Sequence, residues 1–202
     1  TLMAITIAVF GLQFLTEQML GADLPALYGM KINSRIQMGE FWRLLTPMFL
    51  HGSILHLGFN MYALYILGIG LERFYGHGRF FLLYVLAAYA GNVMSFLMTD
   101  ANSLGSSTAI FGLLSAQALL IYQNRFIFGD RSQKYLQNII IVAAINFVIG
   151  LSPGIDNWGH LGGFLAGAIF AFIAGPRLRV AAYSFQRALV DIRSSSEVLM
   201  GT

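Results

Sequence analysis

A serine and a histidine stand at the starts of two separate apolar segments of the chain. Ser107 lies in the run Gly-Ser-Ser-Thr-Ala-Ile-Phe-Gly that begins at Gly105, and His160 lies in Trp-Gly-His-Leu-Gly-Gly that begins at Trp158. Polar side chains at the starts of membrane-length helices are costly in lipid, and their presence there indicates function. A hydroxyl and an imidazole are the minimum needed for nucleophilic attack on a carbonyl carbon. The pair therefore predicts serine hydrolase chemistry inside a bilayer.

The composition is that of a membrane protein. Of 202 residues, 57% are hydrophobic and only 10% are charged, and the mean hydropathy is +0.69. Soluble domains carry about 25% charged residues. The chain has no cysteine, which excludes disulfides, thiolate catalysis and cysteine-ligated metals. Because it begins at Thr1 inside an apolar stretch, we expect further residues to precede it.

Six apolar stretches are separated by polar connections. Backbone amides cannot go unpaired in lipid, and no alternating polarity suggests a barrel, so all six are predicted to be helices. The last two are shorter than the roughly 20 residues that a spanning helix needs. We expect an all-α membrane core over 1–175, with a long outer first loop at 21–47 and a basic tail at 176–202. The stretches are about Leu2–Leu20, Ile54–Phe74, Phe80–Met98, Ser107–Gln123, Asn138–Leu151 and His160–Ala174.

The positive charges predict the orientation. Nine of the twelve Lys and Arg residues fall on one side of a six-span arrangement, and the other three lie in the first loop. The positive-inside rule then places both termini in the cytoplasm and the starts of the fourth and sixth helices at the outer face. The tail after Pro176 is too polar to span. It is expected either as a basic amphipathic helix on lipid headgroups or as a loosely ordered solvated segment.

The sixth helix has a face of small residues next to the histidine. His160, Gly163 and Gly167 share one side of the helix, and such glycines let a neighbouring backbone approach closely. Ser107 lies near the first turn of the fourth helix, where backbone N–H groups without intrahelical acceptors can stabilise an oxyanion. Simpler interpretations remain open, namely an interfacial histidine that only forms hydrogen bonds and a serine that only caps its helix.

The second helix carries a third polar cluster. His56 and Asn60 are four residues apart on one helical face and could donate hydrogen bonds to developing negative charge. The alternative is interhelical hydrogen bonding, worth about 1 kcal/mol in such bundles. A zinc site of His51, His56 and His160 is disfavoured, because the second helix has no nearby acidic residue and His-Glu-x-x-His is absent.

Taken in order, these motifs resemble those of the rhomboid family of intramembrane serine proteases. Each motif is weak alone, but their order and topology together are specific, and they cover essentially the whole six-helix region. The matching features are Trp42-Arg43, His56-x-x-x-Asn60, Gly68-x-Gly70-x-Glu72-x-x-x-Gly76, Gly105-x-Ser107 and His160-x-x-Gly163-x-x-x-Gly167.

The resemblance implies a role for each site residue. Ser107 would be the nucleophile, His160 the general base, and His56 and Asn60, with the Ser107 N–H, the oxyanion site. The substrates would be transmembrane segments of other membrane proteins, cut without a metal or cofactor, and no nucleic-acid partner is implied. The oligomeric state cannot be read from the sequence.

The resemblance also assigns structural residues. Trp42 and Arg43 would belong to the membrane-embedded first loop, where the arginine holds the loop's shape. Glu72 would form hydrogen bonds near the cytoplasmic helix ends. Phe111 occupies a position beneath the histidine where many relatives have tyrosine, and Gly105 precedes the nucleophile.

One departure and two further candidates stand beside this assignment. Thr108 replaces the usual glycine after the nucleophile, and its β-branched side chain restricts the backbone there. Ser106 is a competing nucleophile, although the Gly-x-Ser spacing favours Ser107. Asp156, one helical turn before His160, is a candidate third member that would orient the imidazole, although relatives act with a Ser-His dyad.

Two other functions are alternatives to proteolysis. A catalytically silent relative would bind membrane clients and guide their trafficking or degradation, and loss of the serine or the histidine would have favoured it. The second alternative is a small transporter or channel, and transporters tend to show repeated halves and broken helices near the midplane. The sequence shows no convincing internal repeat.

Overall fold

The computed structural model describes residues 1–152, 154–183, 186–193 and 197–198. Within them the chain forms eight α-helices, two 3-10 turns at Phe41–Leu44 and Thr46–Phe49, and one small antiparallel sheet. The helices are α1 Leu2–Leu20, α2 Leu24–Gly29, α3 Asn33–Gln37, α4 Ile54–Met98, α5 Ser107–Gln123, α6 Arg125–Phe128, α7 Arg131–Ile149 and α8 Asn157–Ala174. The strands are β1 Leu178–Tyr183, β2 Gln186–Asp191 and β3 Glu197–Val198.

Helix α4 turns sharply at one glycine. Its 45 residues would measure about 68 Å if straight, more than twice the roughly 30 Å of bilayer hydrocarbon. Gly76 interrupts it with φ 72° and ψ 162°, a conformation that glycine adopts at no steric cost. The halves 54–75 and 77–98 pack together, since a Cβ added at Gly68 would lie 3.3 Å from the Phe80 ring. The connection between the second and third apolar stretches is therefore a turn at Gly76.

Among the described residues, three helices have the length and composition to cross a membrane: α1, α4 and α8. Helix α5 is apolar but has only 17 residues. Helix α7 begins at Arg131, seven residues before the apolar stretch predicted from Asn138, and its first turns carry Lys134 and other polar side chains. The fifth helix is therefore longer than the apolar pattern indicated, and more polar.

The hydrophobic core lies between the two halves of α4 and α5, and α8 packs between α5 and the second half of α4. A Cβ added at Gly163 would lie 2.0 Å from the Thr108 carbonyl oxygen, and one at Gly167 would lie 2.2 Å from that of Gly112. On the side facing α4, a Cβ at Gly162 would lie 2.9 Å from the Gly91 Cα atom. Main chains of adjacent helices are in direct contact, as in other small-residue membrane interfaces.

The first loop is folded around a buried arginine. Arg43 is 2% exposed and donates to the carbonyls of Leu27 (2.9 Å) and Met30 (2.8 Å) and to the Glu40 carboxylate (2.5 Å). The neighbouring Trp42 indole donates to a backbone carbonyl of α2 at 2.9 Å. These contacts join α2, the segment after it and the first 3-10 turn into one unit.

The tail expectation is wrong for the described residues, which form strands and not an amphipathic helix or a loosely ordered segment. β1 pairs with β2 in antiparallel register, from Leu178 opposite Asp191 to Tyr183 opposite Gln186. This pairing buries Leu178 against the helix bundle and brings Asp191, also fully buried, to 2.7 Å from Arg79. Strand pairing satisfies the hydrogen-bonding groups of the backbone and places the Leu178 and Asp191 side chains against the bundle. This explains why the segment forms strands.

Candidate active site

Ser107 and His160 meet at one end of the helix bundle. Ser107 is the first residue of α5, and His160 lies in the first turn of α8. The serine Oγ atom is 2.9 Å from the histidine Nε2 atom, a hydrogen-bonding distance. The preceding Gly105 has φ 132°, which an L-residue rarely adopts, so glycine is required for this entry into α5. The geometry is that of a nucleophile next to a base.

An aromatic ring supports the imidazole from below. Phe111 stacks on His160 with ring centroids 4.3 Å apart and an interplanar angle of 13°. The ring of Phe147, from α7, contacts Phe111 edge-on at 4.9 Å. Among the described residues, the second ring nitrogen of His160, Nδ1, has no hydrogen-bond partner. The imidazole is therefore held by stacking and by the serine.

Asp156 forms no hydrogen bond with the imidazole of His160, since Nδ1 has no partner among the described residues and Nε2 faces Ser107. Its carboxylate caps α8 by accepting from the Gly159 N–H at 2.9 Å, and it also accepts from the Ser95 hydroxyl. The carboxylate thus links α8 to the second half of α4. The contacts of Asp156 are those of a helix cap and not those of an orienting triad member.

His56 lies directly over the loop that precedes the serine. A Cβ added at Gly105 would lie 2.8 Å from two atoms of the His56 ring and 3.7 Å from the Ser107 hydroxyl. Asn60, one turn further along α4, is buried and donates to the His56 carbonyl at 3.0 Å. The structure therefore brings His56 next to the serine loop, with Asn60 behind it.

Ser106 faces a different histidine. It is fully buried, and its Oγ atom lies 3.3 Å from Nε2 of His51, whose ring is 5.0 Å from that of His56. Burial, and then the neighbouring His56, lower the pKa of His51 to about 4. Gln13 of α1 exchanges two hydrogen bonds with the His51 backbone, at 3.0 and 3.2 Å. We did not predict this contact of Gln13 from the sequence, although a glutamine within an apolar helix indicates a polar contact.

A buried lysine fastens the first loop to the segment that leads to Ser107. Lys31 is fully buried and its Nζ atom donates to the carbonyls of Thr99 and Ala101 (2.9 Å each) and of Ser95 (3.3 Å). Its backbone pairs with Ser103 as an isolated β-bridge. Burial lowers the pKa of Lys31, an effect partly offset by nearby carboxylates. In the sequence, Lys31 is only one of three basic residues of the first loop, and its burial could not be read from the pattern of charges.

Three sequence predictions remain: the ones for Glu72, for Thr108 and for a metal site. Glu72 lies far along α4 from Asn60, near the Gly76 turn, where its carboxylate is 2.6 Å from His77 Nδ1. Thr108 is buried, and its Cβ would lie 2.9 Å from a Cβ added at Gly91, so the side chain lies between helices. No group of three His, Cys, Asp or Glu side chains that could hold a metal ion occurs in the part of the chain that the structure describes.

Sequence comparisons agree with the motifs. The rhomboid domain model matches residues 38–177. Rhomboid protease GluP of Bacillus subtilis (strain 168) is 39% identical over 173 residues, which cover 85% of this chain and 34% of GluP. RHOMBOID-like protein 9, chloroplastic, of Arabidopsis thaliana is 36% identical over 166 residues, covering 82% of this chain and 38% of that protein.

A third relative, RHOMBOID-like protein 5 of Arabidopsis thaliana, is 36% identical over 163 residues, which cover 78% of this chain and 52% of that protein. The chain thus spans between about a third and a half of the length of these relatives. The family match extends from the first loop through α8, and the apolar helices are those of a multi-pass membrane protein. The chain belongs to the rhomboid family.

Proposed function

We propose that this protein is an intramembrane serine endopeptidase. The observation that carries the proposal is the 2.9 Å contact between Ser107 Oγ and His160 Nε2 at the starts of two apolar helices. An imidazole at this distance can remove the hydroxyl proton as the oxygen attacks. The name of the similar GluP supports proteolysis as the reaction.

The reaction proceeds in two steps. His160 Nε2 takes the Ser107 proton while the serine oxygen bonds to the carbonyl carbon of the scissile peptide. The protonated imidazole then donates to the leaving amine, the C–N bond breaks, and an acyl-enzyme remains. A water molecule, deprotonated by the same nitrogen, attacks the ester and regenerates the serine.

We propose three groups as donors to the oxyanion. The Ser107 N–H lies at the helix start, where backbone donors lack intrahelical acceptors. The His56 ring packs against Gly105, two residues before the serine, and Asn60 lies one turn behind it. In a water-poor site, preorganised donors of this kind supply a large part of the rate enhancement.

The substrates are transmembrane segments of other membrane proteins. A peptide bond within a helix must leave its hydrogen-bonded ladder before it can be attacked, which favours segments with small or helix-destabilising residues near the membrane boundary. We further propose six spans, cytoplasmic termini and a site open to the outer face, on the basis of the distribution of Lys and Arg.

The experiment that tests this function combines labelling and cleavage by purified protein in detergent. We expect a fluorophosphonate probe to label the parent at Ser107, and the parent to cut a model single-span substrate. Ser107→Ala should lose both activities. Ser106→Ala is the matched control and should keep both, because Ser106 is buried against His51.

Either of two results would contradict the proposal. A folded parent that neither reacts with the probe nor cuts the substrate would point to a client-binding rhomboid relative. Loss of activity in Ser106→Ala but not in Ser107→Ala would show that the other serine is the nucleophile.

A further inference from the structure

A cavity of about 590 Å³ lies at the end of the bundle remote from the serine. It is formed where α5 and α6 approach the end of α8 and the start of β1. Tyr122 lines it, and this tyrosine lies fifteen positions after Ser107 in α5, or about 22 Å along the helix axis. The volume falls within the range of about 300–1,000 Å³ that is usual for small-ligand sites.

Three arginines line this cavity: Arg125, Arg177 and Arg179. All three are exposed, and no Asp or Glu is among the residues that line the cavity. None of these guanidinium groups forms an ion pair with any side chain that the structure describes. Arg125 lies over the Tyr122 ring, 5.3 Å from its centroid. The cavity therefore has a concentrated positive charge that the described side chains do not neutralise.

The other walls are apolar and reach the surface of the bundle. Tyr122 is 56% exposed, Phe126 67% and Phe172 61%, although all three rings are large and hydrophobic. Phe172 is near the end of α8, an apolar helix, so this exposed surface faces lipid at the boundary of the hydrocarbon. Aromatic side chains are enriched at this depth. A ligand that fills the cavity must combine an anionic end with a hydrocarbon body.

We propose that this cavity binds an anionic phospholipid, with its phosphate at Arg125, Arg177 and Arg179 and an acyl chain along Phe172. Guanidinium groups pair with phosphate through two parallel hydrogen bonds, and basic pockets at the ends of membrane helices bind anionic headgroups. A free phosphate ion would use the arginines and leave the aromatic walls without a partner. The site is independent of the proposed chemistry at Ser107.

Native mass spectrometry of the detergent-solubilised full chain tests the proposal. We expect the parent to retain phosphatidylglycerol in preference to phosphatidylcholine. The triple variant R125Q/R177Q/R179Q should bind phosphatidylglycerol roughly tenfold more weakly or worse, since each basic group near anionic lipid contributes about 1 kcal/mol. The matched control R73Q/R131Q/K134Q removes the same charge from exposed positions outside the cavity and should bind like the parent.

Two results would overturn the site. Equal losses in both triple variants would show only general charge attraction, and displacement of the lipid by millimolar inorganic phosphate would show a free-anion site. A second measurement uses the parent alone and does not depend on the folding of any variant. Phosphatidylglycerol carrying a photoreactive acyl chain should crosslink to 119–126 and 172–179, and labels spread evenly around the bundle would exclude the proposal.

Discussion

Gly163 of α8 lies so close to Thr108 of α5 that an added methyl group would be 2.0 Å from the threonine carbonyl oxygen. Backbone cannot rotate aside as a side chain can, so the two helices would have to separate. We expect Gly163→Ala to destabilise the fold by about 1–3 kcal/mol, the usual cost of overpacking. Thermal unfolding in detergent measures the change.

The control for this substitution is Gly11→Ala in α1, where an added methyl group meets nothing within 4 Å. It should be neutral or stabilising by up to about 1 kcal/mol, the difference in helix propensity between glycine and alanine. Equal destabilisation by both substitutions would show that the contact between α8 and α5 is not the cause.

Asn60→Ala tests the proposed oxyanion site. Removing one donor of this kind typically lowers kcat about 100- to 1,000-fold, because the donor acts on charge that develops in the transition state. KM should change little. Asn92→Ala is the control, since Asn92 is equally buried in α4 and donates to the Leu44 carbonyl. It should lower stability without lowering kcat, and the same kcat loss in both variants would argue against an oxyanion role for Asn60.

Substitutions of Asp156 distinguish a helix-capping role from a catalytic role in orienting His160. Asp156→Asn retains a capping side chain, and we expect kcat to stay within about tenfold of the parent, whereas loss of an orienting aspartate in a serine protease triad costs about 10⁴-fold. Asp156→Ala should lower the free energy of unfolding by about 0.5–2 kcal/mol through loss of the cap. A 10⁴-fold fall in the asparagine variant would restore the triad interpretation.

Stability should depend on acid pH through His51. The pKa is about 4 in the folded protein against 6.5 in an unfolded chain, so the unfolded state binds the proton first. The contribution of His51 to the free energy of unfolding is fully present above pH 6.5. It is lost as the pH falls toward 4, and amounts to about 3 kcal/mol. Unfolding of the parent and of His51→Gln should be compared between pH 4 and 7.5. Identical slopes for the two proteins would contradict the assignment to His51.

Lys31→Met should destabilise the first loop. The substitution removes the ammonium donor from three carbonyls, of which those of Ser95 and Thr99 keep a second donor. Loss of a hydrogen bond from a charged group costs about 1.5–3 kcal/mol. Lys134→Met, at an exposed position of α7, should stay within about 0.5 kcal/mol of the parent in thermal unfolding. A stable Lys31→Met protein would show that the loop does not need this lysine.

The pairing of Ser107 with His160 could be predicted because the information lies in residue types and their spacing. The glycine face of α8 could be predicted for the same reason, as Gly163 and Gly167 share a side with the histidine. Lys31 could not, because its acceptors are backbone carbonyls, which carry no residue identity in a sequence.

Two other parts of the fold could not be predicted from the polarity pattern of the sequence. The hairpin of β1 and β2 depends on pairing between segments and on the ion pair of Asp191 with Arg79, neither of which a local polarity pattern shows. The start of α7 was placed too late because its first turns, which include Arg131 and Lys134, are polar. Apolar residues indicate only the part of a helix that lies in lipid, and the helix itself can continue into the polar region.

The close packing of α8 has a consequence for the separation of hydroxyl and imidazole. Gly163 and Gly167 bring the main chain of α8 against that of α5 within two turns of both reactive residues. At these two glycines no side chain lies between the main chains, so a change of rotamer cannot alter the spacing there. Thermal motion of the surrounding lipid and of the outward-facing side chains should therefore change the 2.9 Å distance between Ser107 Oγ and His160 Nε2 only slightly.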